Sequence, residues 1–407
     1  MAGPLQLTFV NYKKDSYIVV EGKSNADRFY IIRQGKVRLF KDVEVVEEEG
    51  GSVLGPGDFF GVVSTMSSHS QIETAQAMTD VTLISVMKDQ YGQLIQNNTP
   101  VAMKIILQFS KRMRYLDEAL TRLTLKSTAE EDVSHLYHVA EYYTRQSQYN
   151  QAFYAYHQYI KHCPQGDNVN KARELMMKIG PYAKSVKLDF KSDEFNRKYP
   201  KDSMIFSEGE PGEELFIIQK GSVKIAKIVD NNEVLLAVLK AGDIFGEMAL
   251  LESKPRAACA VAYEECHVMA VNRANFERMV STQPQIVARL TTLLAERIWF
   301  IYKQLANTLV TDPIGRMYDA LLMQLEKNRI DISTSTYTFD FGPKELVNMV
   351  GIPQSEGTLF LRKLLENKKL QIIKDKEKDK IHSTDVSDIA KQTQMFKKLQ
   401  KIGRAPK

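Results

Sequence analysis

Two stretches of the chain alternate apolar and polar residues with a period of two. In YKKDSYIVVEGKSNADRFYIIRQGKVRLF, residues 12–40, Phe29, Ile31 and Phe40 alternate with polar neighbours and Gly35 breaks the run. In YPKDSMIFSEGEPGEELFIIQKGSVKI, residues 199–225, Leu215, Ile217, Val223 and Ile225 do the same around Gly221. Short alternating runs punctuated by Gly and Asp predict antiparallel strands closed into a barrel or jelly roll. The two stretches are copies. Asp15 maps to Asp202 and Gly22 to Gly209, both 187 residues on, and GDFFG at 57–61 returns 185 residues on as GDIFG at 242–246. That spacing is too wide for a solenoid, so it predicts one domain present twice.

Helical periodicity fills most of the remainder. Each copy runs into a long helical stretch, about Lys88–Leu125 after the first and about Asn272–Leu309 after the second. Between the copies, Leu136, Val139, Ala140 and Tyr143 form one stripe, and Tyr149, Ala152, Tyr156 and Tyr159 form another that Pro164 closes. Small residues where two helices approach, with aromatics around them, predict a helical hairpin. Its spacing resembles a tetratricopeptide unit, with 169–180 as a capping helix, and it serves either as a protein-docking groove or as a rigid spacer. Near the C-terminus Pro343 suits the first turn of a helix and Gly351 the turn that stops it. A second helix follows from about Gln354 to Lys369, then QIIKDKEKDKIHS as a charged hairpin. That order is a winged helix-turn-helix.

The expectation is an α+β multidomain chain. It divides into a first barrel and its helix at 1–125, a helical insert at 130–185, a second barrel and its helix at 186–311, and a winged helix-turn-helix with a basic tail at 312–407. Hydrophobic residues at 43% and charged residues at 26% exclude a largely disordered chain. No apolar run approaches the ~20 residues that cross a bilayer, and the first residues lack the order of a secretory signal. Cys163, Cys259 and Cys266 are too few and scattered for a disulfide framework or a zinc site. A soluble, cytoplasmic protein is expected. Residues 312–407 hold 18 Lys and Arg against 13 Asp and Glu, a surplus equal to the +5 of the whole chain. Such a segment faces either an anionic partner such as nucleic acid or only solvent.

The candidate chemistry lies in FGEMALLESKPRAACAV, residues 245–261. Its Gly, Glu and Arg, at fixed spacing after a barrel-type sequence, closely resemble the phosphate-binding cassette of cyclic-nucleotide-binding domains. These occur in the catabolite activator (Crp/Fnr-type) regulators and in regulatory subunits of cAMP-dependent protein kinase. The resemblance implies that both copies are β-jelly-rolls of this type. It implies ligand contacts from Phe245, Gly246, Glu247, Met248, Ala249, Arg256, Ala257 and Ala258. Gly246 would let the backbone approach, Glu247 would accept from the ribose 2′-hydroxyl, and Arg256 would pair with the cyclic phosphate. Ala257, where a hydroxyl residue often accompanies cGMP, implies cAMP, with cGMP as the alternative. The chemistry agrees: a guanidinium offers two parallel N–H groups to two phosphate oxygens, and a Glu beside an anion is repulsive unless it faces a hydroxyl.

From Arg289 to Arg316 the next helix resembles the dimerisation helix of the catabolite activator family, which implies a homodimer. Ile301 and Tyr302 stand where that family reaches the base, and Tyr302 could stack on it or donate its O–H. Trp299 and Phe300 read as interhelical packing. The first copy has FGVVSTMSSHSQIETAQA at 60–77, with Val62 in place of Glu247 and Gln71 in place of Arg256. It reads as a degenerate structural domain, with His69 and Gln71 as the alternative holders of another ligand. The C-terminal module resembles the same family's DNA-binding domain and places Gln354, Ser355, Glu356 and Lys363 toward DNA. Phe360 cannot supply the bidentate donors that read guanine. Lys363, Lys368, Lys369 and the wing suit phosphates. Gly357 inside the helix costs about 1 kcal/mol against Ala.

Other signals point elsewhere. His135, His138, His157, His162 and Cys163 lie on the hairpin helices without a converging tetrahedral set, so no metal is expected. Gly22-Lys23-Ser24 is no P-loop, because Tyr17 replaces its first glycine. With no nucleophile motif and no paired carboxylates, no enzyme is expected. The reading is a cyclic-nucleotide-responsive transcriptional regulator. The alternative is a ligand-gated adaptor in which the hairpin and the C-terminal module bind proteins.

Overall fold

The alternating runs form strands in the computed structural model, which describes residues 7–24, 26–41, 53–125, 133–188, 190, 194–229, 232–352, 354–375 and 378–403. Each copy builds two four-stranded antiparallel sheets. In the first, Arg28–Gln34 lies between Val81–Met87 and Phe59–Phe60, and Val37–Phe40 between Thr74–Ala77 and Val53–Leu54. The second repeats that order with Glu214–Lys220 between Cys266–Asn272 and Ile244–Phe245, and Ser222–Val229 between Cys259–Ala262 and Asn232–Lys240. The registers coincide as well, since Tyr30 faces Phe60 and Phe216 faces Phe245. Even the left-handed residues recur, with Asp15 at φ 67° and Asp202 at φ 61°.

The long helical stretches are each broken. The first divides into Tyr91–Asn97 and Thr99–Leu125, the second into Arg273–Thr282 and Pro284–Thr308. Pro100 and Pro284 lie at the breaks; a proline has no N–H to give the preceding turn and crowds its carbonyl, so a continuous helix is not tolerated. The helical insert forms as three helices, His135–Arg145, Tyr149–His162 and Val169–Ile179. Ala140, Ala152 and Ala155 are fully buried where the first two meet. The hairpin shares one core with Met204, Ile228, Cys259 and Val261 of the second barrel.

The C-terminal module begins with a helix, Pro313–Lys327, whose Asp312 side chain caps the N–H groups of Ile314 and Gly315. Helices Pro343–Met349 and Gln354–Leu365 follow, separated by Gly351 at φ 62°, and then the strand pair Leu370–Asp375 and Lys378–Ser383. The second of these helices ends at Leu365, short of the expected Lys369. Beyond it the Asn367 amide donates to the Tyr318 hydroxyl at 2.7 Å and to Asp388. Gly357 has a packing reason, because a Cβ there would come within 2.5 Å of Val347 Cγ1. No helix among the described residues is long and apolar enough to cross a membrane.

The two compact units of the chain do not follow its sequence order. One unit gathers Val86–Glu118 with Ser127–Ala295, hence the helix after the first barrel with the second barrel. The other gathers Thr8–Ser85 with Glu296–Lys407, hence the first barrel with the end of the helix after the second. In the latter unit Trp299 is 1% exposed, stacks on His69 with ring centroids 4.0 Å apart, and donates through Nε1 to the Ser70 carbonyl at 3.2 Å. Leu290, Leu294, Ile298 and Leu305 of the same helix are also buried within the single chain.

Candidate functional site

The cassette of the second barrel opens with Gly246 at φ 77°, a left-handed turn that leads into the short helix Glu247–Glu252. A Cβ at Gly246 would approach Arg256 Nη1 to 2.7 Å, and one at Gly212 would approach Arg256 Nε to 2.5 Å. Both positions admit only glycine while Arg256 keeps its place. Arg256 is 6% exposed, and its Nη1 donates to the Gly246 carbonyl at 2.6 Å. Its guanidinium carbon lies 4.2 Å from the Phe206 ring centroid and 5.6 Å from that of Phe216, so both rings are within cation–π reach. Nε has no hydrogen-bond partner. A buried guanidinium with an unsatisfied N–H is costly unless an anion completes it.

The backbone around Arg256 is pinned from the other side. Arg256 N–H donates to the Glu210 carbonyl at 2.8 Å, and Gly209 N–H donates to the Arg256 carbonyl at 2.9 Å. Burial lowers the Arg256 pKa, opposed by Glu210, Tyr154, Glu214 and Glu247. Glu247 itself is 2% exposed. Phe245, Ala249 and Ala258 are buried, and Met248 and Ala257 are half-buried, in the same cassette. Eight of the expected ligand residues are thus together. Tyr302 belongs to the unit of the first barrel, where Lys41 Nζ sits 4.3 Å from its ring centroid.

The sequence reading missed Glu210 and Tyr154. The Tyr154 hydroxyl, on the hairpin, donates to Glu210 Oε1 at 3.1 Å, and Ser207 N–H donates to Oε2 at 2.9 Å. Burial pushes the Glu210 carboxyl up to about 7, against the pull of the Ser207 N–H, Arg256 and Tyr154. An unfolded Glu gives up its proton near 4.5. The folded chain therefore holds one proton more than the unfolded chain between those values, and this group makes stability fall as pH rises through that window. An anion arriving at Arg256 favours protonated Glu210 further. Binding then takes up protons, and affinity for an anionic ligand should weaken several-fold from pH 6 to pH 8. Titration calorimetry at both values checks this. Glu210→Gln should flatten the dependence; an unchanged slope in that variant would assign it elsewhere.

The first copy keeps the frame and lacks the chemistry. Gly22 N–H donates to the Gln71 carbonyl at 2.8 Å and Gln71 N–H to the Lys23 carbonyl at 2.9 Å, the same ladder as at Arg256. Gly61 repeats the left-handed turn at φ 80°. But Val62, Lys23 and Gln71 stand where Glu247, Glu210 and Arg256 stand. Gln71 is buried with its Oε1 unpartnered, and His69 is stacked on Trp299.

In the C-terminal module Glu356 and Lys363 are exposed on the second helix, together with Arg362. The side chains of Gln354 and Ser355 lie outside the described residues, as do wing residues 376–377 and tail residues 404–407. Lys369 is not poised for a phosphate. Its Nζ pairs with Asp385 at 2.8 Å and Asp388 at 3.4 Å.

The cyclic nucleotide-binding domain family matches residues 9–98 and 196–283. Over 155 residues the chain is 30% identical to the CRP-like cAMP-activated global transcriptional regulator of Mycobacterium tuberculosis, covering 38% of this chain and 69% of that protein. Over 127 residues it is 33% identical to the cAMP-activated global transcriptional regulator CRP of Pasteurella multocida, covering 31% of this chain and 61% of that one. Among solved structures, it is similar to the regulatory domain of Toxoplasma gondii PKA in complex with cAMP. That likeness has 16% identity and a TM-score of 0.21 and covers 70% of this chain and 84% of that one.

Proposed function

The chain belongs to the family of CRP-like regulators built on cyclic nucleotide-binding domains, and from that premise we propose that it binds cAMP in its second barrel and regulates transcription through its C-terminal module. Arg256 carries the reading. It is a buried guanidinium, within cation–π reach of Phe206 and Phe216, with an Nε that lacks a partner. A cyclic phosphate supplies the missing acceptor. Glu247, at the start of the same short helix, suits the ribose hydroxyl. Phe245, Gly246, Met248, Ala249, Ala257 and Ala258 form the wall around them. cGMP is the competing ligand, and a titration with both nucleotides separates them. The first barrel takes no nucleotide. A ligand that binds two conformations with different affinity shifts their balance, and this is how occupancy of the second barrel reaches the C-terminal module.

That module is a winged helix-turn-helix. Gln354, Ser355, Glu356 and Lys363 lie on its recognition helix, and exposed Arg362, Lys363, Lys368, Lys374 and Lys378 supply phosphate contacts. Such contacts give affinity that falls steeply with salt and little sequence choice. A mobility shift on mixed-sequence duplex DNA should show retardation at low salt that raising the salt abolishes, and cAMP should alter it. Failure to bind at low salt would remove the DNA reading. One observation favours the second reading, an adaptor that docks proteins: Leu359 is 54% exposed on the recognition helix, beside acidic Glu356. The protein acts in the cytoplasm under either reading.

A further inference from the structure

The copy that has lost its nucleotide chemistry still reaches the intact site. Arg114, on the helix Thr99–Leu125 that follows the first barrel, donates through Nε to Glu252 Oε2 at 2.9 Å, and the pair is 4% exposed on both sides. Its two terminal nitrogens lie 3.3 and 3.4 Å from the Pro255 carbonyl oxygen, and Ser110, one turn earlier, donates to Glu252 Oε1 at 2.6 Å. Glu252 ends the cassette helix and Pro255 immediately precedes Arg256. One side chain therefore grips both ends of the loop that delivers the phosphate-binding guanidinium. The opposite edge of that loop is held by the Gly209 and Glu210 backbone.

The repeat gives this contact a counterpart. At the offset of 185, Arg114 corresponds to Trp299 and Pro255 to Ser70. Within the other unit, Trp299 Nε1 donates to the Ser70 carbonyl. In both places the helix after one barrel binds the cassette loop of the other barrel, at equivalent residues. The contact differs in strength. Trp299 makes one neutral hydrogen bond, whereas Arg114 adds a buried, charge-assisted pair, and it does so at the cassette that keeps its Arg and Glu.

Resting on the nucleotide reading above, we propose that Arg114 is a positioning residue of the second barrel's nucleotide site, so that the degenerate copy serves by lending its helix to hold the Arg256 loop. The test measures cAMP affinity by titration calorimetry on the full chain and on Arg114→Met, Arg114→Lys and Trp299→Phe variants. Arg114→Met should weaken cAMP binding about tenfold or more. Arg114→Lys, which keeps a donor and a charge, should recover part of that loss, and Trp299→Phe should stay within about twofold of the parent. Should Arg114→Met leave Glu252 buried and unpaired and fail to fold, the double variant Arg114→Met/Glu252→Gln removes that charge along with the clamp and should show the same weakening. A wild-type chain that binds cAMP and an Arg114→Met chain that matches it within about twofold would overturn the inference while the site stands. A folded wild-type chain that binds no cyclic nucleotide would take down the nucleotide reading and, with it, this role for Arg114.

Discussion

Arg256→Ala should weaken cAMP binding by at least about a hundredfold, measured by titration calorimetry on the folded chain. In the proposed site the guanidinium is the cation that would meet the phosphate. Truncating one partner of a buried, hydrogen-bonded charge pair costs roughly 3–5 kcal/mol, and each 1.4 kcal/mol is about a tenfold loss of affinity. Lys at the same place should restore little. An ammonium is a point charge without the parallel donors of the fork, and it lacks the flat face that the guanidinium presents near the Phe206 and Phe216 rings. Gln71→Ala, at the matching position of the first barrel, should leave cAMP affinity unchanged. Arg256→Ala binding at the parental level would remove the cassette as the ligand site.

Trp299→Ala should cost about 3–5 kcal/mol of stability, the range for emptying a large aromatic side chain from a core. The indole is 1% exposed, stacked on His69 and hydrogen-bonded to the Ser70 carbonyl. The variant leaves a cavity, an unpaired carbonyl and a histidine face without its partner. Denaturant unfolding followed by circular dichroism measures the loss. A change below about 1 kcal/mol would mean that the first barrel does not depend on the helix that follows the second. Because Trp299 is the one tryptophan of the chain, its fluorescence in the parent protein reports on that contact.

What could be read from the sequence was local. Alternation with a period of two sufficed for the barrels, since one face of each strand must be apolar, and a repeated GD-x-FG marked both turns. Gly246, Glu247 and Arg256 lie within eleven consecutive residues, so the resemblance to the cassette could be seen in one short stretch. Glu210, Tyr154 and Arg114 were not visible in the same way. Glu210 meets Arg256 through the backbone of a loop 46 residues away, Tyr154 bonds Glu210 from a hairpin that precedes the barrel, and Arg114 bonds Pro255 from the helix that follows the other copy. Nothing periodic marks a side chain whose partner lies 138 residues away, as with Arg114 and Glu252. The breaks at Pro100 and Pro284 were legible in principle from proline alone.

The Glu210 carboxyl adds a condition to any binding measurement. With its proton exchanging near 7, affinities taken at a single pH would understate or overstate the site. The central claim is that one chain holds one cyclic nucleotide, at Arg256 and nowhere else. Calorimetric titration of the full chain with cAMP near pH 6 tests it most directly. The expected result is saturation at one nucleotide per chain, lost in Arg256→Ala. Saturation at two per chain, or a flat titration of folded protein, would contradict it.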